Sequence, residues 1–199
     1  MSKNKAHPAE GILLPCLYFQ SPGPKNTERT LEMSARRAEE LGIQNIVVSS
    51  TTGRTGLLAA RHFSDRNLVI VTHSTGFAKP DYQEMSPENR QKLEESGVKV
   101  LTCQHAFGGL GRAVRKKLGT YELEEIIAFT LRTFGEGTKV AVEIALMAAD
   151  AGLIPVSEPC LSLGGTAGGV DTAILLRPSN AQTFFELRIM EILAKPREP

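Results

Sequence analysis

Ile46–Val47–Val48–Ser49–Ser50–Thr51–Thr52–Gly53–Arg54–Thr55–Gly56, continued by Leu57–Leu58–Ala59–Ala60–Arg61, decides how this chain is read. A short apolar run enters a loop of hydroxyls and glycines, and the loop opens a helix. The first amides of a helix have no carbonyl partner within it and carry partial positive charge, so they attract anions. Glycine lets backbone approach a ligand closely, and serine and threonine add donors. Arg54 adds a guanidinium fork. The plain alternative is a capped helix start, with Thr52 as the cap and Arg54 in solvent. A cap accounts for one hydroxyl, not for the run Ser49–Thr52, so the stretch points to a phosphorylated small molecule.

The bulk of the chain fits that reading. Its 199 residues suit one domain with a sizeable core, 41% of them hydrophobic and 23% charged. A net charge of +1 gives no field for nucleic acid or an acidic membrane, and no apolar run is long enough to span a bilayer. Residues 1–10 are polar and read as a tail, followed by a single domain over 11–199. Cys16, Cys103 and Cys160 are an odd set without close spacing, which argues against disulfides and for a reducing cytoplasm. Nothing in their spacing suggests a metal site.

Away from the opening stretch, strands and helices alternate. Strands are expected at Ile12–Phe19, Asn45–Ser49, Leu68–Thr72, Val98–Thr102, Val156–Leu163 and Thr172–Arg177, and Phe184–Leu193 reads as a last strand, with a short helix as the alternative. Helices are expected from Asn26 or Thr27 to Gly42, over Thr55–Phe63, from Ser86–Pro87–Glu88 to Ser96–Gly97, and over Tyr121–Phe134 and Lys139–Ala151. Gln104–Leu118, basic and rich in glycine, reads as an irregular excursion. The sum is a three-layer α/β/α domain around a mainly parallel sheet.

Open sheets of this kind bind ligands beyond the carboxyl ends of their strands. The loop residues expected there are Ser50, Thr51, Thr52, Gly53, Arg54 and Thr55, then His73, Thr75, Gly76 and Phe77 after the third strand. Gly164, Gly165 and Thr166 open a glycine loop at the same edge, while Gly135, Gly137, Thr138 and Lys139 have anion-friendly composition in a turn between two helices. Lys139 near a helix start opposes the helix dipole, which hints at a ligand-facing role. His73 and His105 each follow a strand and are of a type that serves as acid or base near neutral pH. Cys103 reads as a buried, inert thiol, Glu143 and Asp150 as structural carboxylates, and Arg112, Arg115, Lys116 and Lys117 as a solvated basic face.

Ser50–Gly56 with Ala60–Arg61, and Val71–Thr72–His73, resemble the phosphate loop and next strand of the pyruvate kinase C-terminal domain. A fuller resemblance is to stand-alone archaeal and bacterial pyruvate kinase alpha/beta domain proteins. Its stretches are Phe19–Thr27, Arg37–Ile43, Phe134–Glu143, Gly164–Thr166 and Asp171–Ala173. The resemblance implies a pyruvate kinase C-terminal domain-like, three-layer α/β/α fold with a mixed sheet and a cleft that holds flavin mononucleotide (FMN). It implies no established reaction, because the catalytic residues of pyruvate kinase lie in a separate barrel domain. Phe63–Ser64 also stands where the kinase has Arg-Pro. The flavin phosphate would sit on Thr51–Thr55, with Phe19, Phe77, Tyr82 or Phe107 as walls for its ring. Two classes of function remain open: an FMN-dependent oxidoreductase, or a non-catalytic module that binds flavin or a sugar phosphate. A symmetric homo-oligomer is compatible with either.

Overall fold

The structure, a computed structural model, describes residues 11–198; the expected tail over 1–10 lies outside the described residues. The chain alternates strands and helices around one sheet. Strand β1 is Leu17–Phe19, followed by helix α1 (Thr27–Leu41), β2 (Asn45–Ser49), α2 (Arg54–His62), β3 (Asn67–Val71), α3 (Pro87–Glu95) and β4 (Lys99–Leu101). Three helices then come in succession: α4 (Leu110–Leu118), α5 (Leu123–Arg132) and α6 (Glu136–Asp150). Strands β5 (Cys160–Gly164), β6 (Thr172–Arg177) and β7 (Arg188–Pro196) complete the sheet.

The seven strands lie in the order β1-β7-β6-β5-β2-β3-β4. Only β6 runs against its neighbours, pairing antiparallel with β5 and with β7. All the other pairs are parallel. This is the expected three-layer α/β/α arrangement with a mainly parallel, mixed sheet.

Strand alternation explains why the central strands are apolar throughout. Ile46 and Val48 of β2 face a core built with Leu31 of α1, Ala59 of α2 and Leu93 of α3. Val47, between them, faces the opposite core with Ala128 of α5 and Ala145 of α6. A strand covered on both faces has no side left for polar residues. Helix α6 is the most enclosed helix, buried from Gly137 to Ala149 except at Val140. It can lie so close because Gly164 of β5 faces it: a Cβ there would sit 2.2 Å from the Gly137 carbonyl oxygen. Ser162 Oγ donates to the Ala141 carbonyl at 2.7 Å, adding a polar tie inside the same contact.

Several boundaries differ from those expected. Gln104–Leu118 is not wholly irregular, since its second half forms α4, closed by Gly119 at φ +75°. The first strand is shorter than Ile12–Phe19, because only Leu17–Phe19 finds partners, at Ala194–Pro196. The last strand starts at Arg188 and Ala181–Glu186 is a 3-10 helix, where a strand over Phe184–Leu193 was expected. Pro159 ends the irregular approach to β5, and the strand begins only at Cys160. Among the described residues no helix is long and apolar enough to cross a membrane.

Candidate functional site

The carboxyl ends of β2, β3, β4 and β5 converge on a cleft of about 540 Å³. Its walls come from the loop after β2, the loops after β3 and β4, the inner faces of α4, α5 and α6, and the β5–β6 hairpin. The volume falls in the range of small-molecule sites.

The loop after β2 is fixed before any ligand arrives. Ser50 N–H extends the β2–β3 ladder by donating to the Val71 carbonyl at 2.9 Å. Ser50 Oγ then accepts from Gly56 N–H at 3.0 Å, so the hydroxyl that caps α2 belongs to Ser50 rather than to Thr52. Gly53 has φ +90°, and a Cβ there would lie 2.6 Å from Asn89 Cβ, so both backbone and space require glycine. Asn89 Nδ2 donates to the Thr52 carbonyl at 2.8 Å and holds the loop against α3. Ser49, Ser50, Thr51, Thr52 and Thr55 line the cleft, while Arg54 is exposed and Gly53 packs behind the wall.

A stack of rings and one cation forms a second part of the lining. Phe77 lies 4.1 Å from the His73 ring centre and 5.0 Å from that of His105, nearly parallel to His105. The Arg112 guanidinium covers Phe77 at 4.7 Å. His73 Nδ1 is 2.7 Å from the Glu84 carboxylate, which anchors the loop that carries the stack. Arg112 makes no ion pair among the described residues, so its donors remain available to an anion.

The floor is a buried ion pair. Lys139 Nζ donates to Glu143 Oε2, and both residues are about 4% exposed or less. Glu143 Oε1 accepts from Phe107 N–H at 2.7 Å. His105 adjoins this pair, with Nδ1 at 4.0 Å from Glu143 and Nε2 accepting from Ser74 N–H at 3.4 Å. Burial is the main reason His105 is pushed from 6.5 down to about 4; Glu143 opposes the shift, and the charges of Lys139 and Arg112 add to it. At neutral pH His105 is therefore an uncharged ring with one fixed acceptor. At the rim, Arg132 is bound to Glu136 at 2.5 Å.

The β5–β6 hairpin forms a compact lip. Asp171, fully buried, accepts from Gly23 N–H at 2.9 Å, Thr166 N–H at 3.3 Å and the Thr172 hydroxyl at 3.0 Å. A Cβ on Gly165 would meet the Gly169 carbonyl at 2.2 Å, so the lip folds tightly on itself. Ala167, at φ +54°, sits on the cleft side in a conformation that side chains adopt at some cost.

The residues expected from sequence are thus divided. Lys139, His73, Phe77 and Gly165 line the cleft with the hydroxyl loop. Thr75 and Gly76 are exposed on their loop and do not line it. Gly135, Gly137, Thr138, Gly164 and Thr166 lie outside the lining set. Gly137 is needed for close packing, since a Cβ would be 2.1 Å from Thr172 Oγ1, and Thr138 Oγ1 donates to the Phe134 carbonyl at 3.3 Å. The turn at Gly135 joins two helices, as expected; a Cβ at Gly135 would lie 3.7 Å from Lys195 Cε, and Gly137, just after it, packs against Thr172.

The basic cluster is not a uniformly solvated face: Arg112 enters the cleft, and Arg115 is 2.9 Å from Glu125. Glu143 pairs with Lys139, and Asp150 instead accepts from Asn180 and from Ala181 N–H. The i, i+4 spacing of Lys139 and Glu143 on an apolar helix was the available signal for that pair. Burial, aided by Asp150, raises the Cys103 thiol above its ordinary value, which disfavours the reactive thiolate.

Residues 28–176 match the family described as pyruvate kinase, alpha/beta domain. The chain belongs to that family. Strands β1 and β7 lie outside the matched residues and form one side of the sheet. Solved structures that it resembles include a pyruvate kinase from Cryptosporidium parvum, at 14% identity over 75% of this chain and 22% of that one, with a TM-score of 0.39. The same organism's pyruvate kinase in complex with ADP matches at 14% identity over 86% of this chain and 24% of that one, with a TM-score of 0.40. The chain thus spans about a quarter of those kinases or less. An NH3-dependent NAD synthetase from Campylobacter jejuni matches at 16% identity over 55% of this chain and 47% of that one, with a TM-score of 0.28.

Proposed function

We propose that the cleft binds a small molecule carrying a phosphate at one end and a flat ring at the other, with FMN as the ligand. The observation that carries the reading is that two unlike sets of residues line one cavity. One set is the Ser49–Thr52 hydroxyls and the start of α2, suited to a phosphate. The other is Phe77, His105 and the unpaired Arg112. A sugar phosphate would use the first set and leave the second without purpose, which favours a ring-bearing ligand. Arg112 and Lys139 give the cavity cations for a phosphate or an electron-rich ring edge. The reading is one of binding; flavin supplies its own redox chemistry when bound.

Titration of FMN into the purified protein, followed by quenching of flavin fluorescence, tests this. Saturable binding is expected, with riboflavin binding at least tenfold more weakly because it lacks the phosphate, a difference of about 1.4 kcal/mol or more. Equal affinity for the two would remove the phosphate site. Unchanged fluorescence up to about 100 µM protein, a limit near 5–6 kcal/mol, would overturn the flavin reading.

A further inference from the structure

Helix α4 is lightly tied to the rest of the molecule. None of its residues is buried, and α5 is the element it touches most. A nine-residue helix does not persist in water on its own propensity, so α4 depends on what it touches. The chain just before it is firmly placed. Phe107 is 5% exposed, donates its N–H to Glu143 and packs edge-on to Phe184 at 5.7 Å. The pair Gly108–Gly109 separates that anchor from α4, and Gly119, in the left-handed region at φ +75°, ends the helix. Glycine gives the backbone the freedom that a joint needs. An anchored residue, a glycine pair, a rigid helix and a closing glycine are the parts of a hinged flap.

Two arginines hold the flap down. Arg115 reaches the Glu125 carboxylate of α5 at 2.9 Å and lies over the Tyr121 ring at 5.4 Å. Arg112 lies over Phe77 at 4.7 Å and lines the cleft. The first contact is incomplete. Glu125 is 5% exposed, and Oε1 meets Arg115 while Oε2 is buried with no hydrogen-bond partner. A carboxylate oxygen shut away from water without a donor weakens the closed arrangement, and an outward swing of α4 lets water reach it. The second contact sets a cation on a ring and leaves the guanidinium donors unused. The closed flap is therefore weakly held in the ligand-free protein. An anion in the cleft would supply the charge-assisted bonds that Arg112 lacks.

We infer that α4 is a lid on the cleft, hinged at Gly108–Gly109 and Gly119, latched by Arg115 on Glu125 and drawn shut by an anionic ligand through Arg112. The inference rests on the reading of the cleft as an anion site. A ligand shifts such an equilibrium only by what it gains in one state and not in the other. Arg112 provides that difference, because it reaches the ligand only while α4 is down. Lys139, on the buried helix α6, and the hydroxyl loop, tied to β3 and α3, stay in place while Arg112 travels with α4.

Hydrogen–deuterium exchange of the full chain, with and without saturating FMN, tests the inference. In the ligand-free protein the α4 amides are expected to exchange at least about 100-fold faster than those of α6. FMN is expected to slow α4 by about tenfold or more, together with the loop after β2. In Arg112→Ala with saturating FMN, that loop still slows and α4 does not. In ligand-free Arg115→Met, α4 exchanges faster than in the parent while α6 is unchanged. Inorganic phosphate as a second probe separates the lid from the flavin reading. A chain that ignores FMN but slows at α4 with phosphate loses the flavin and keeps the lid. The lid is overturned by ligand-free α4 amides as well protected as those of α6, or by an α4 that neither probe slows. Slowing of α4 that survives Arg112→Ala, or ligand-free exchange that Arg115→Met leaves unchanged, overturns it as well.

Discussion

Replacing Glu143 with leucine removes one half of an ion pair that is almost out of solvent. Lys139 is 4% exposed and Glu143 3%, so the ammonium left behind has little water to replace its partner. Breaking a buried pair in this way costs about 3–5 kcal/mol. Phe107 N–H also loses its acceptor, a loss within the same range and partly counted in it. A net loss of about 4 kcal/mol, with a urea slope of roughly 2 kcal/mol per molar, lowers the unfolding midpoint by about 2 M. The companion Lys139→Met/Glu143→Leu has no buried charge at either position and fills a similar volume. Replacing a whole pair is often neutral or stabilising by about 1–4 kcal/mol, so most of the midpoint returns. Urea unfolding followed by circular dichroism reads both variants. The reasoning is refuted if Glu143→Leu lies within about 1 kcal/mol of the parent, or if the double variant is as unstable as the single one.

Three further outcomes follow from the geometry. His105 titrates near 6.5 unfolded and about 4 folded, so the unfolded chain takes up the proton first as pH falls. Its contribution is present above pH 6.5 and lost between there and about 4, roughly 3 kcal/mol in all; His105→Gln should flatten that part of the stability–pH curve relative to the parent. Gly164→Ala drives a Cβ to 2.2 Å from a backbone oxygen, which no rotamer change relieves. A cost of about 3 kcal/mol would lower Tm by roughly 6–12 °C in a domain of this size, and an unchanged thermal scan would show that α6 can shift away. Arg112→Ala is expected to weaken FMN binding by about 10–100-fold, the worth of a charge-assisted contact, while Arg54→Ala has the smaller effect because Arg54 is exposed outside the lining. The reverse order in fluorescence titrations would move the phosphate to the outer side of α2.

The sequence showed most where structure is local. Asn45–Ser49 is a strand at its expected bounds because its apolar run is covered on both faces and ends at hydroxyls. Helix α3 starts where Ser86–Pro87–Glu88 predicts, with Ser86 Oγ accepting from Asn89 N–H at 3.2 Å. Helix α4 was hidden because Gly108, Gly109 and Gly111 surround its start and no core residue marks its inner side. The cleft divides in the same way. Its hydroxyl loop is one contiguous stretch, whereas Phe77, His105, Arg112 and Glu143 meet only after the chain has passed through β3, β4, α4 and α6. The glycines of the hairpin and of the α6 start read as room for a ligand, but at Gly137 and Gly164 the space is taken by the protein's own atoms.

The pairing of β1 with β7 bears on how the molecule is made. Leu17 lies opposite Ala194 and Phe19 opposite Pro196, so the first of the seven described strands pairs with the last. Synthesis at about 5–20 residues per second leaves β1 without its partner for many seconds, while β2, β3 and β4 already have each other. Ile12, Leu13 and Tyr18, all more than half exposed even in the finished fold, pass that interval beside an unpaired strand. Until β7 has been made, β1 therefore carries exposed apolar side chains and an open edge together, and it joins the sheet only after every other strand is in place.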